Sequence, residues 1–319
     1  MSTPRNPWKN PRYYDLPKTL RWVEAEGVTQ KPVFDPSMKQ HADAYRASDP
    51  RFADPGRGEA WRAARRRAMD LVLEAVAGSS WADSLVLRGS ALMALWFGDR
   101  AREPGDLDFV VVPRDWKLED GRTARLFGGI AGAAQSLAER AGEGLRISAS
   151  GAVSDDIWTY DRVPGRRLVL PWSAPGLPAG NLQLDFVFGE KLLQEPCLVE
   201  LPGGGVLRAA TPELSLAWKV TWLVSDAYPQ GKDLYDAVLL AERHALSREL
   251  LREALRQSEE WPNLTASGWL TRNDLAELLE YVLWEDFVVD HPGLPRQEGE
   301  FTRRLLDALE PVLDGFRLG

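Results

Sequence analysis

The chain has 319 residues, of which 44% are hydrophobic and 27% charged, and a formal net charge of −8. This is the composition of a soluble globular protein, long enough for one large domain or two ordinary ones, and its acidity opposes non-specific nucleic-acid binding by the molecule as a whole without excluding a local basic site. A lone cysteine, Cys197, excludes a disulfide or cysteine zinc site within one chain, and no apolar run approaches the roughly 20 residues of a membrane-spanning helix.

Residues 1–56 open with MSTPRNPWKNPRYYDLP, which has no apolar signal core. The cytoplasm is therefore the expected location. This stretch is rich in Pro, Trp, Tyr and Arg and lacks sustained periodicity. It predicts an irregular arm with one short helix near Leu20–Glu26. Turns at Asp49 and Asp54 lead into a strong helix over Gly58–Ala77. Ala64, Ala68, Leu71, Val72 and Ala75 form its apolar stripe at helical spacing. Arg62, Arg65, Arg66 and Arg67 lie opposite. Those arginines suit RNA or phosphate, but a solvated helix face explains them as well.

Leu85–Pro113 reads as strand, turn, helix, loop, strand. Leu85-Val86-Leu87 is a short apolar run, Gly89-Ser90 breaks it, and Ala91–Phe97 has helical composition. Asp106-Leu107-Asp108 then opens a second apolar run, Phe109–Val112. Side chains at i and i+2 of a strand share a face. Asp106 and Asp108 therefore project together while Leu107 turns into the core. Two carboxylates forced together repel unless a cation lies between them, and oxygen ligands suit Mg²⁺. Gly89 lets backbone approach a phosphate, and Ser90 offers a hydroxyl and an N–H at a helix N-terminus.

Downstream, Gly121–Ala141 predicts a crossover helix, and Leu145–Ser148, Ile157–Tyr160 and Arg167–Leu170 predict strands. Pro171–Gly180 reads as a loop. Asn181–Gly189 is a strand with Leu182, Leu184, Phe186 and Phe188 on one face and Gln183, Asp185 and Val187 on the other. A charge at Asp185 among apolar neighbours is costly unless paired. A metal ion would supply a reason, and a solvated sheet face is the alternative.

Thr211-Pro212-Glu213 is a strong helix start, with Thr as cap, Pro at the first position and Glu in the first turn. That helix runs to about Val224 with Lys219 as its one cation. Gly231–Asp236 opens the next helix, where Asp233 and Asp236 suit the positive end of the helix dipole. Ser247–Gln257, Thr271–Val289 and Gly299–Phe316 are amphipathic, with breaks at Trp261-Pro262-Asn263 and His291-Pro292-Gly293. The thirteen tryptophans are assigned to packing. His41, His244 and His291 are too scattered to support a histidine metal cluster or a Ser-His-Asp triad.

Gly89-Ser90-Ala91-Leu92 followed by Arg102-Glu103-Pro104-Gly105-Asp106-Leu107-Asp108 resembles the nucleotidyltransferase superfamily that includes DNA polymerase β. Within it, the chain is most similar to the AbiEii/AbiGii toxin family and its MenT-like relatives. Glu213 to Lys219 and Lys232-Asp233 to Asp236 match further patterns of that family. Three departures stand out: Pro104 replaces a family serine, the loop from Ser90 to Asp106 is somewhat long, and Lys232 replaces an arginine. The resemblance spans roughly residues 80–245.

The resemblance implies an α+β fold: a polymerase-β-like mixed sheet with helices, followed by a C-terminal helical bundle. It divides the chain into an arm (1–56), a catalytic domain (57–210) and a helical domain completing the cleft (211–319). It implies a nucleotidyltransferase that moves NMP from an NTP to an acceptor as the toxin of a toxin–antitoxin system. Asp106, Asp108 and Asp185 would be catalytic and would hold Mg²⁺, or Mn²⁺. Gly89, Ser90, Lys219 and Asp233 would bind the nucleotide, with Asp233 preferred to Asp236 as the residue facing the site. The implied partners are an NTP, an RNA or tRNA acceptor and a cognate antitoxin, with no membrane. A small-molecule acceptor, as in antibiotic nucleotidyltransferases, and a catalytically idle nucleotide- or partner-binding scaffold are the alternative readings.

Overall fold

The computed structural model describes residues 15–159, 163–258, 264–265, 267–291, 293–294 and 297–318. The first elements in chain order are β1 (Val28–Thr29), β2 (Pro32–Phe34), β3 (Tyr45–Ala47), β4 (Arg51–Phe52), α1 (Pro55–Ala77), β5 (Leu85–Arg88), α2 (Ser90–Phe97), β6 (Asp106–Val111) and α3 (Gly121–Ala141). There follow β7 (Arg146–Ile147), β8 (Val153–Thr159), β9 (Val163–Ser173), β10 (Gly180–Val187), β11 (Cys197–Glu200) and β12 (Val206–Ala209). The chain continues through α4 (Pro212–Ser225), α5 (Gly231–Ala241), α6 (Arg248–Leu255), α7 (Arg272–Leu279), α8 (Trp284–Asp290) and α9 (Glu298–Leu313). Among the described residues these form two compact units. The first takes the chain up to Ala75 together with Lys117–Phe188, and the second takes Val76–Trp116 and everything from Gly189 onward.

The first unit is organised on β9. It pairs antiparallel with β10 from Gly180↔Trp172 to Val187↔Gly165, and with β8 from Val153↔Val169 to Thr159↔Val163. α3 has the bounds its periodicity predicts. Leu126, Ile130, Ala134 and Ala138 are its buried stripe, and Phe127 packs on Phe186 with ring centroids 4.9 Å apart. β9 runs on to Ser173, so the loop expected from Pro171 is shorter at its start. The expected strand end at Tyr160 lies outside the described residues.

The arm differs from expectation. No helix forms over Leu20–Glu26. The backbone there is irregular and ends in a turn at Glu26; Val23 N–H donates to Gln30 Oε1, and Gln30 Nε2 donates to the Ser48 carbonyl. Short antiparallel pairs, β1 with β4 and β2 with β3, order the segment. α1 begins at Pro55, three residues before the expected Gly58, because Asp54 Oδ1 accepts from the N–H groups of Gly56 and Arg57 and caps the first turn. Arg65 does not join a solvated face. It is buried and donates to Asp49 Oδ1 at 2.7 Å, while Arg67 pairs with Glu143 at 2.9 Å.

The second unit has the strand order β11-β12-β5-β6. β12 runs parallel to β5 and the other pairs are antiparallel, so this is a mixed sheet. The sequence reading missed β11 and β12, two four-residue strands on either side of Pro202–Gly205. Four residues are too few to show a period of two. Thr211 caps α4 as expected, its hydroxyl accepting from Leu214 N–H at 3.1 Å. α5 packs against α4, α8 and α9. The single helix expected over Thr271–Val289 is divided into α7 and α8. Leu283 N–H donates to the Pro229 carbonyl at 2.7 Å, a tertiary bond that replaces an intrahelical one. The expected breaks at Trp261-Pro262-Asn263 and at Pro292 lie outside the described residues. No helix among the described residues is long and apolar enough to cross a membrane.

Leu107 is fully buried at the start of β6, between two half-buried aspartates. Leu107→Ala should lower the unfolding free energy by about 2–5 kcal/mol, read from urea unfolding curves of the whole chain.

Candidate active site

The turn from β5 into α2 depends on a residue without a side chain. Gly89 has φ 76° and ψ −151°, a region that is essentially glycine-only. It also lies against the second aspartate of β6. A β-carbon built on Gly89 would overlap Asp108 Oδ2 and stand 3.0 Å from Asp108 Cγ. Ser90, the first residue of α2, is fully buried. Its hydroxyl donates to Asp106 Oδ1 at 3.2 Å. The Gly-Ser turn therefore holds both aspartates, one by close approach and one by hydrogen bonding. As expected for alternate strand positions, Leu107 faces the core while Asp106 and Asp108 stay half-buried.

A second cluster joins α4 and α5 to the loop before β6. Lys219 is buried, its Nζ 2.6 Å from Asp233 Oδ1 and 3.0 Å from Asp236 Oδ2. Asp236 has no exposed surface and also accepts from Arg102, from Nε to Oδ1 at 3.1 Å and from Nη2 to Oδ2 at 3.1 Å. Two cations and two carboxylates thus neutralise one another out of water. Burial pushes the Asp236 carboxyl up, but Arg102 and Lys219 outweigh it and hold it below the ordinary carboxylate range. Burial likewise pushes Lys219 down, and Asp233 and Asp236 reverse the sign. Arg102 also feels the charges of Asp106 and Asp233. Tyr235 Oη donates to the Arg100 carbonyl at 2.7 Å, a second tie from α5 to the segment that precedes β6.

Arg88, at the end of β5, donates to Glu190 at 2.6 Å, both residues being buried. Its guanidinium lies 5.4 Å from the Trp218 ring and 5.7 Å from the Trp222 ring. The two indoles are nearly parallel, and Lys219 Nζ stands 5.1 Å from the Trp222 ring. α4 therefore presents aromatic faces to cations, which offsets part of the cost of desolvating them.

Asp185 belongs to the first unit and occupies the middle of β10. Its register partner on β9 is Arg167. Arg167 Nε donates to Asp185 Oδ1 at 2.9 Å and Nη2 to Oδ2 at 2.8 Å, a bidentate pair. Gln183 Nε2 adds a bond of 3.2 Å to the same carboxylate. The remaining arm of Arg167 reaches Asp35 at 2.6 Å.

Of the residues singled out from sequence, Gly89, Ser90, Asp106 and Asp108 meet in one place, and Lys219 meets Asp233 in another. Two charged groups beside these residues, Arg102 and Arg167, have no role in the sequence reading. Arg102 opens the matched stretch that ends at Asp108. Asp236, placed second to Asp233 in that reading, is the more deeply buried and is shared by both cations. Arg167 gives no local signal of its partners, which lie on β10 and in the arm.

The donor set fits a divalent cation. Asp106 and Asp108 are carboxylates on one face of one strand, half-buried rather than sealed, which matches the oxygen preference of Mg²⁺ and its use of one or two protein carboxylates. A glycine-serine turn packed on a DxD strand in a mixed sheet is the arrangement of a nucleotidyltransferase. The family model described as nucleotidyl transferase AbiEii toxin, type IV toxin–antitoxin system, matches residues 71–311. The chain belongs to this family, and it is a nucleotidyltransferase toxin whose family implies an NTP substrate and a cognate antitoxin. No curated protein matches the chain.

Gly89→Ala should cost about 1–3 kcal/mol through its backbone angles alone, and should also abolish transfer because the new methyl displaces Asp108. Unfolding curves and a transfer assay on one preparation separate the two effects. Removing one member of the buried cluster is more severe: Arg102→Ala leaves Asp236 without its bidentate partner and should cost about 3–5 kcal/mol. The acid response of Asp236 has a definite sign. Its native pKa lies below the unfolded value of about 3.9, so its contribution is complete above that pH and is lost as the pH falls through the native value. Asp236→Asn should therefore be clearly less stable than the wild type at pH 7, with the difference shrinking below about pH 3.9, as measured by urea unfolding across pH.

Proposed function

We propose that this enzyme moves a nucleoside monophosphate from an NTP to an RNA acceptor, tRNA, in a Mg²⁺-dependent reaction in the cytoplasm. The observation that carries the reading is the Gly89-Ser90 turn clasping Asp106 and Asp108. A scaffold that only bound a partner would have no use for a glycine placed to admit a carboxylate.

Asp106, Asp108 and Asp185 would hold the divalent ion, Mg²⁺ or Mn²⁺. When bound, such an ion neutralises phosphate charge and steadies the attacking and leaving oxygens of an in-line displacement. The protein's own groups do the rest. Gly89 lets a phosphate come close, and the N-terminal N–H groups of α2 donate to its oxygens. Ser90 fixes the orientation of Asp106. Lys219 supplies a point positive charge toward the triphosphate, and Asp233 fixes where its ammonium stands. In the reaction, the acceptor hydroxyl oxygen bonds to the α-phosphorus, the bond from the α-phosphorus to the bridging oxygen breaks, and pyrophosphate departs. Asp185 takes the hydroxyl proton or completes the ion's ligand set. Catalysis then rests on positioning and charge neutralisation, without a covalent enzyme intermediate.

The net charge of −8 supports a second reading, in which the acceptor is a small molecule. The test is transfer of α-³²P label from each of the four NTPs to total tRNA with Mg²⁺, with Asp106→Ala/Asp108→Ala as control. Labelled tRNA that depends on both aspartates is the expected result and shows the preferred base. NTP binding that needs Mg²⁺, without labelled tRNA, would favour the small-molecule acceptor. Absence of NTP binding would overturn the nucleotide-transfer mechanism.

A further inference from the structure

Asp35 lies outside the stretch that matches the family, in the segment preceding residue 71, yet it is buried against Arg167. It is held there by its own local structure. The short 3-10 helix Pro36–Met38 begins on Asp35, whose Oδ1 accepts from Ser37 N–H at 3.1 Å and from Ser37 Oγ at 2.6 Å. Asp35 Oδ2 is left to meet Arg167 Nη1 at 2.6 Å, and Ser37 Oγ also accepts from Arg167 Nη2 at 3.2 Å. The other edge of the same guanidinium carries Asp185.

This arrangement answers a conflict. An arginine in bidentate contact orients Asp185 but also cancels its charge, and a cancelled carboxylate attracts a cation poorly. Asp35 shifts the balance: it sets a second carboxylate on the guanidinium that faces Asp185, so these three groups together carry one negative charge, with Arg46 the further cation that acts on Asp35. On the reading that Asp185 is a metal-binding carboxylate, we infer that Asp35 is a positioning residue for the transferase site, acting through Arg167 to hold Asp185 in place while offsetting the positive charge set against it. The segment before the family core is then part of the catalytic apparatus. Groups that touch a ligand rather than the metal shift metal affinity by about 10–100-fold when removed.

The experiment is Mn²⁺ binding to the full chain, read by electron paramagnetic resonance with Mn²⁺ alone, for the wild type, Asp35→Asn, Arg167→Gln/Asp35→Asn and Asp185→Asn. Thermal melting of each variant checks folding. Asp35→Asn brings the three-group cluster to neutral and should weaken Mn²⁺ binding about tenfold. The double variant returns the cluster to one negative charge but removes the arginine that orients Asp185, so it should recover part of the binding that Asp35→Asn loses, an outcome a packing role does not produce. A double variant that binds no better than Asp35→Asn overturns the inference. So does unchanged binding in Asp35→Asn where Asp185→Asn weakens it, and in that case the metal reading of Asp185 stands. Unchanged binding in Asp185→Asn removes that reading and the inference with it. If Asp35→Asn fails to fold, Asp35→Glu replaces it: wild-type Mn²⁺ affinity is expected because the charge is kept, and a tenfold loss overturns the inference.

Discussion

Buried charge is the constraint on which most of this structure depends. A carboxylate taken out of water carries a desolvation penalty of several kcal/mol that only a close, well-oriented cation offsets. The chain meets that condition repeatedly with arginine, whose planar fork matches a carboxylate in two bonds. Arg167 with Asp185 and Arg102 with Asp236 are bidentate, and Arg88 with Glu190 is a single short contact. Arg88 with Glu190 and Arg102 with Asp236 join segments 102 and 134 positions apart, while Arg167 with Asp185 joins paired strands 18 positions apart. Arg102 ties the loop before β6 to α5, and Arg167 ties β9 to β10 and to the arm. The pairs therefore fix the backbone around the site as well as neutralise charge.

The opposite principle governs Gly89. There the missing side chain is what allows β5 and β6 to present a carboxylate against the backbone. Hydrogen bonding from Ser90 then sets the first aspartate, and the pleat of β6 sends Leu107 into the core between the two. Polar function and apolar anchoring alternate along three consecutive residues, so orientation of the pair follows from burial of the leucine. The cation cluster joins Lys219 on α4, and Asp233 and Asp236 on α5, to Arg102 in the loop before β6.

Local chemistry was legible wherever a signal fell within a few residues. The Gly-Ser turn, the same-face aspartates, the cap at Thr211 and the bounds of α3 depend on neighbours no further than one helical turn away. The sequence by itself determined these, together with the α+β class and the family, because their physics is that of backbone angles, pleat and periodicity. What the tertiary structure alone decided was the partner of each buried charge. Asp35 and Arg167, or Arg102 and Asp236, are separated by 132 and 134 positions. No periodicity relates them. The same is true of the break between α7 and α8, where Leu283 N–H meets the Pro229 carbonyl, and of the irregular Leu20–Glu26, where Val23 N–H meets a Gln30 side chain that is itself tied to Ser48. Such choices are made by competition among distant hydrogen-bond and ion-pair partners once the chain is compact, so no local stretch of sequence contains them.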